Sequence, residues 1–462
     1  MYNAEKYAYL SFFIPLLVYI VTLNGVFQSD YPTSVLGTQW AMWKYHSFSL
    51  GPPGGLIVQT VDKGLFNGQY YSAISPGLAI LSFPFAVLGF ILDGNVLDTF
   101  GRALLLDELF LGITAAIAVS ITYKICRFYA GPLPSFIAAL TLAFGTSVWP
   151  FTTMTFVQDA SLPFSVLAVY LVLRYTKGER KSSAQLVLAG ASLGISFFVE
   201  YVAALLIVPI LAYLILSKVR TRDATFAFGG FLIGPLLQLS YNYEVLGNPL
   251  LFPEQLKGDS SQSLLGRFDP IGMTLHAVLY IGSPYRGLLF FSPVVIAGVY
   301  GLYRMYNSDD MKLDAILFVA LFLAVLLPYS AWQDWTGGQV YGPRFLILGL
   351  PYLIIPISVI MAKGRSVSLK SGFVLLFALS SFVEGTGALT TAISVAGSSF
   401  TSPPIQLNIP WLLEGKLDSW WVGMLSGASA STFQLISAAL FVSLWCMMAI
   451  LVIKAAKHRD KV

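Results

Sequence analysis

Residues 75–93, SPGLAILSFPFAVLGFILD, decide how this chain is threaded. They are apolar enough to count as a membrane span, and counting them sets the side of the membrane on which every later loop falls. Twelve other long apolar runs lie at about 7–27, 103–123, 132–150, 156–173, 185–199, 201–217, 224–246, 287–303, 314–331, 345–362, 371–395 and 429–453. With a cytoplasmic N-terminus and all thirteen runs crossing, the basic loops holding Lys124, Lys177, Lys218 and Lys363, and the basic tail, fall outside, against the positive-inside rule. Demoting 75–93 to an interfacial or re-entrant segment reverses the parity. Then 19 of the 27 Lys and Arg face the cytoplasm, and Lys44, Lys63, Arg102, Lys257, Arg267, Arg286, Arg344 and Lys416 face outward. The run also reads poorly as a span, because it opens Ser75-Pro76-Gly77, carries Pro84 in its middle and ends on Gly89 and Asp93. Proline removes a helical hydrogen bond that lipid cannot replace.

Composition agrees with a membrane chain. Of 462 residues, 56% are hydrophobic and 11% charged, where soluble proteins carry roughly 25% charged residues. The expected fold class is an all-α polytopic membrane protein of about twelve transmembrane helices (eleven to thirteen), with both termini in the cytoplasm. A long first external loop covers about 28–102, and further external loops fall at about 149–160, 247–286, 332–344 and 396–425. The run 7–27 lacks a small-residue cleavage site and reads as a retained helix. Cys126 and Cys446 show no pairing pattern, and His46, His276 and His458 show no ligand spacing, so neither a disulfide framework nor a zinc site is expected.

The chemistry is expected on the outer face. Asp30 follows the first span directly, and a carboxylate at that boundary is a candidate general base; the alternative is a loop aspartate that only ends a helix. Gln69, Tyr70 and Tyr71 lie in NGQYYSAISPG (67–77), where tyrosine is also an ordinary interfacial anchor. Asp159 closes the second external loop. WQDWTGGQVYGPRF (332–345) combines glycines, which let a ligand approach the backbone, with Arg344, whose guanidinium suits a phosphate. A tryptophan-anchored turn with a snorkelling arginine is the alternative. Arg286, in SPYRG (283–287), is a second outer-face cation of the same kind. Lys44, Gln69, Gln339 and Tyr341 complete the candidates for contacts to a donor. Asp107 and Glu108 are functional candidates as ionisable groups in or near the membrane, with pairing to Arg102 at helical spacing as the alternative, and Glu200 and Glu384 are read as packing or structural groups.

Read together, the acidic residue after the first helix, the stretch Gly68 to Gly77, GTSVWPF (145–151), Tyr241-Asn242 with Gly247-Asn248-Pro249, SPYRG with Ser292-Pro293, and WTGG through GPRF resemble the GT-C integral-membrane glycosyltransferases. The protein mannosyltransferase and aminoarabinose transferase groups, the family 39-like members, are the most similar. The resemblance runs over about 20–360, and residues 361–462 carry no family motif. It implies a catalytic module over 1–360 with a first external loop of juxtamembrane helices, followed by C-terminal helices over 361–462. It also implies an inverting hexosyltransferase using a dolichyl or undecaprenyl phosphate sugar, with an extracytoplasmic glycan, lipid or protein as acceptor. Asp30 would match the family's catalytic acid and Asp159 the acidic residue of the second loop. Arg344, with Arg286, would stabilise the departing phosphate, and Tyr70 and Tyr71 would bind donor phosphate or sugar.

No Asp-x-Asp occurs in an external loop, so no cofactor is required by the sequence, although Asp30 and Asp159 could share a divalent cation (Mg or Mn) with phosphate oxygens. The expected location is the plasma membrane, with the active site outside and no nucleic-acid partner. The alternative reading is a transporter or flippase of lipid-linked sugars. It would be expected to show inverted repeats and broken midplane helices, and no such repeat is visible.

Overall fold

In the computed structural model, residues 2–25, 29–97, 101–178, 181–257, 264–338, 340–364, 366–390, 404–425 and 427–457 are described. Among these, eight helices are long and apolar enough to cross a bilayer: Ala4–Thr22, Arg102–Cys126, Val157–Lys177, Thr221–Leu246, Lys312–Ser330, Arg344–Lys363, Val367–Leu389 and Ala430–Lys457. Pro132–Phe144, Ser183–Val199 and Tyr201–Leu216 are apolar but shorter. The run 287–303 is broken into Leu288–Phe291 and Val295–Tyr306, with Pro293 between them. The chain is multi-pass, and the count of twelve expected from charge is not fixed by these lengths.

The segment expected to form the first external loop carries helices and a sheet of its own. Helix α1 (Tyr2–Thr22) is followed by α2 (Asp30–Tyr45), a small sheet, and α3 (Pro76–Leu92), before α4 (Arg102–Cys126) begins. Pro76 opens α3 in its first turn, where a missing N–H costs nothing. Two close approaches fix how α3 lies. A Cβ on Gly77 would stand 2.4 Å from the Phe198 carbonyl oxygen, and one on Gly89 would stand 2.2 Å from Ala103 Cα. The start of α3 therefore touches the end of Ser183–Val199, and its end touches the start of α4. Between these ends α3 packs along the first turns of α4, with Phe85 against Phe110 at 5.4 Å and Gln39 Nε2 bonding both Ser82 and Asp107; at seventeen residues it is one of the shorter apolar helices.

The sheet adds a feature that an all-helical expectation did not contain. Strands β1 (Ser49–Gly51), β2 (Lys63–Phe66) and β3 (Gln69–Ser72) are antiparallel in the order β1-β3-β2. Asn67 and Gly68 join β2 to β3 with φ of 48° and 75°, the left-handed pair that a two-residue type I′ hairpin demands. Residues 253–257 then dock on β2. Gly64 bridges Lys257, a Cβ on Gly64 would fall 2.1 Å from Leu256 Cβ, and Lys257 Nζ bonds Asp62 Oδ1 at 2.5 Å. The third external loop also forms a helix of its own, Met273–Gly282. One apolar core passes through residues before and after 360, from Tyr19 to Ala455, so the C-terminal helices are packed into the same body.

Candidate active site

The candidate site gathers around Arg344, the first residue of a short 3-10 turn after the Gly337-Gly338 loop. Its guanidinium carbon lies 4.5 Å from the ring centroid of Phe156, 4.5 Å from that of Phe345 and 5.5 Å from that of Tyr31. Tyr31 and Phe156 pack together at 4.7 Å, and Tyr329 stacks flat on Phe345 at 4.1 Å. The cation is thus walled by aromatic faces, which attract it without using its N–H groups. Nε and Nη1 are buried and accept no partner from the protein. A buried, unpaired guanidinium edge is costly unless something anionic completes it. Gly337 stands against it, since a Cβ there would lie 2.7 Å from Arg344 Nε.

Two carboxyl groups share this neighbourhood. Glu200, 8% exposed at the break between Ser183–Val199 and Tyr201–Leu206, accepts from Gln158 Nε2 at 2.7 Å and from Tyr329 OH at 2.6 Å. Glu254 comes from the docked 253–257 turn. Burial and the nearby Glu200 charge raise its pKa to about 7, against the pull of Arg267, Lys257 and Arg344. Sequence reasoning took Glu200 as packing and did not single out Glu254. Only the fold brings a residue of the third external loop beside Arg344.

Asp30 begins α2, where the helix N-terminus favours an anion. It is exposed, its Oδ1 accepts from the Val61 amide at 3.1 Å, and its carbonyl accepts from Thr60 Oγ1 at 2.9 Å. Tyr31, the next residue of α2, faces Arg344, while the Asp30 carboxylate faces the Val61 amide. Asp159, in the first turn of Val157–Lys177, is 1% exposed with both oxygens unpartnered. Phe156, three residues earlier, is a wall of the same cage. Among the described residues no group of three or more His, Cys, Asp or Glu is placed to hold a metal ion.

The other candidates separate from this centre. Arg286 is fully buried and its donors are already spent: Nε on the Thr336 carbonyl at 2.8 Å, Nη2 on that of Gly338 at 2.8 Å, and Nη1 on that of Tyr285 at 3.1 Å. Burial lowers its pKa to about 10. It pins the glycine loop beside Arg344, and its Nε–Nη2 edge is already bonded to the Thr336 and Gly338 carbonyls. Tyr341 lies in the core, with its hydroxyl on the Val383 carbonyl and its ring against Phe291 and Gly387. It is a packing residue, not a donor contact. Lys44 sits over Trp40 in the last turn of α2, fourteen residues and about 20 Å along the axis from Asp30. Gln69 accepts from Ser49 Oγ at 2.8 Å, and Tyr70 lies under Lys63, so both serve the sheet. Tyr71 is the neighbouring residue of the same strand. Gln339 lies outside the described residues. Arg102 pairs with Asp93 at 3.5 Å and not with Asp107 or Glu108. Glu384 accepts from Ser147 and Ser292 at 2.9 and 2.6 Å, a structural tie between helices.

With this geometry in hand, comparison gives the class of fold. Residues 108–239 match the family model described as dolichyl-phosphate-mannose-protein mannosyltransferase. The chain superposes on ArnT from Cupriavidus metallidurans, a structure bound to undecaprenyl phosphate, with a TM-score of 0.57 at 13% identity, covering 98% of this chain and 78% of that one. It also superposes on an oligosaccharyltransferase from Archaeoglobus fulgidus tethered to an acceptor peptide, with a TM-score of 0.51 at 11% identity, covering 83% of this chain and 55% of that one. No curated protein matches by sequence. The fold of this chain is that of the GT-C integral-membrane glycosyltransferases.

Proposed function

We propose that this protein is an inverting glycosyltransferase that takes a sugar from a polyprenyl phosphate and gives it to a hydroxyl outside the cytoplasm. The observation that carries the reading is the Arg344 cage: a half-buried cation whose Nε and Nη1 have no protein partner, walled by Tyr31 in the first turn of the helix that begins at Asp30. The undecaprenyl phosphate held by the similarly folded ArnT supports a lipid phosphate as that anion.

In the step proposed, the acceptor oxygen attacks the anomeric carbon from the face opposite the phosphate. The bond from that carbon to the phosphate oxygen breaks through an oxocarbenium-like state. The acceptor proton passes to Asp30, and the electron pair leaves with the lipid phosphate, whose growing charge meets Arg344 Nε and Nη1. Arg286 takes part by holding Thr336 and Gly338, and so the loop against which Arg344 rests. Asp159, buried and without a partner, is proposed to lie behind the acceptor side of the cage. A divalent cation bound by Asp30 or Asp159 alone would need substrate oxygens for most of its shell, and no step is drawn through one. The orientation proposed is both termini in the cytoplasm of the plasma membrane and the cage outside, from the basic loops.

Replacing Asp30 by Asn should abolish sugar transfer while leaving the thermal transition and lipid-phosphate binding in place. Transfer at the wild-type rate by the Asn variant would refute the reading.

A further inference from the structure

The chain leaves α1 at Leu23 and starts α2 at Asp30, and the structure spends an unusual set of groups on the segment just before that step. Glu108, 1% exposed on α4, accepts from two successive amides through one oxygen, Asn24 N at 3.0 Å and Gly25 N at 2.9 Å, both on Oε2. Gly25 is left-handed, with φ of 66°, so both amides converge on one acceptor. Asn24 Nδ2 reaches the Thr153 carbonyl at 3.2 Å. From the opposite side, the C-terminal external segment caps the same helix end. Trp420 N donates to the Leu23 carbonyl at 2.8 Å, Trp420 Nε1 to that of Ile20 at 2.9 Å, and Trp421 Nε1 to that of Val21 at 2.6 Å. The residue beside Glu108 anchors the other flank, because Asp107 Oδ1 accepts from Gln39 Nε2, in the body of α2, at 3.2 Å.

Simple stability does not ask for this. Glu108 makes no ion pair with a Lys or Arg among the described residues, and a buried carboxyl without a basic partner is a costly way to close a helix end. What the arrangement does supply is a fixed position. The outer end of α4 holds the chain on both sides of Asp30, six residues before it and nine after.

We propose that Glu108, together with Trp420 and Trp421, is a positioning device that sets where Asp30 stands, and that the two tryptophans thereby couple the C-terminal segment to the reaction. The proposal rests on the reading of Asp30 as the base. The residues act through Asp30 and touch no substrate, so their loss should slow the chemical step and spare donor binding.

The test uses the full-length protein in nanodiscs with a polyprenyl-phosphate hexose, comparing wild type with D30N, E108Q, E108L and W421F. Gln keeps an oxygen that can accept both amides, so E108Q should stay within about threefold of wild type, a fraction of one ordinary hydrogen bond. E108L should lose about a hundredfold in kcat, the scale of a small misplacement of a reacting group, with the donor KM little changed. Amide exchange at Asn24 and Gly25 should quicken in the same variant. W421F removes one donor and keeps an aromatic ring, and should lose about fivefold in kcat at unchanged KM; it carries the test if E108L does not fold. Unchanged kcat in E108L or W421F, or equal losses in E108Q and E108L, overturns the positioning role while an inactive D30N leaves the transferase standing. Full activity in D30N removes the transferase reading and this inference with it.

Discussion

Arg286 and Arg344 look alike in the sequence, each an outer-face arginine beside glycine and proline. Their atoms separate them: Arg286 has given its N–H groups to the Thr336, Gly338 and Tyr285 carbonyls, while Arg344 keeps Nε and Nη1 unpaired between aromatic rings. Replacing Arg344 by Ala should weaken lipid-phosphate binding by about 10- to 100-fold, the worth of hydrogen bonds to a charged group, with the thermal transition held. Arg286→Ala should instead lower the thermal transition, because three buried carbonyls lose their donor. Isothermal titration with polyprenyl phosphate and a melting curve on each variant check both. Glu254 adds a pH dependence. Its folded pKa, about 7, is raised above the ordinary carboxyl value, so its contribution to stability is present at low pH and lost as pH rises through about 7. Once ionised, it also competes with an anion for Arg344. Binding of a phosphodiester donor, whose own charge is constant over this range, should therefore weaken between pH 6 and pH 8, and Glu254→Gln should flatten the profile. Asp30, Asp159 and Arg344 are candidates from position and residue type, and the fold brings Tyr31 and Phe156, which lie near the two aspartates in sequence, against Arg344. Glu200 and Glu254 were not legible in this way, since their relevance comes from a meeting of segments far apart in sequence.

At the scale of elements, charge parity and the prolines and glycines of 75–93 set α3 apart from the spans, and Gly77 and Gly89 let its two ends approach Phe198 and Ala103 closely. The hairpin has an equally local signal in the sequence. Asn67-Gly68 is a strong turn signal, but its neighbours Gln69, Tyr70 and Tyr71 drew attention as ligand contacts, whereas they build a sheet that receives the 253–257 turn. Glycine explains one more feature that no apolar pattern displays. Gly190 and Gly194 of one helix meet Gly230 and Gly234 of the Thr221–Leu246 pair, so closely that a Cβ on Gly190 or Gly234 would fall 1.9 Å from a carbonyl oxygen of the facing helix. Small residues at such spacing let two membrane helices pack backbone to backbone. Gly234→Ala should cost at least about 1–3 kcal/mol, read as a lowered thermal transition. Gly229→Ala, five residues earlier with nothing within 4 Å, should not lower that transition; equal losses would contradict this packing.

Across the whole molecule, the basic residues predict the threading and the superposition on ArnT supplies the fold, but the number of crossings stayed beyond both. Several apolar runs form helices shorter than a span, and one is broken at Pro293. Hydropathy registers apolar length and does not register where a helix stops. The orientation proposed can be read by labelling introduced cysteines with an impermeant maleimide in a Cys446→Ser background, Cys126 being buried. A cysteine at Pro53 should label in intact cells and one at Lys181 only after lysis; the reverse pattern would invert the topology. The motif-poor region 361–462 proved to be part of the same body, reaching α1 through Trp420 and Trp421. The claim on which the rest depends is sugar transfer from a lipid phosphate at the Arg344 cage. It is tested most directly by single-turnover incubation of the purified protein with radiolabelled polyprenyl-phosphate hexoses and acceptor membranes, following release of lipid phosphate. Release by wild type that is lost in Asp30→Asn and Arg344→Ala is the predicted result. Absence of release with every donor, or release unaffected by either substitution, would contradict it.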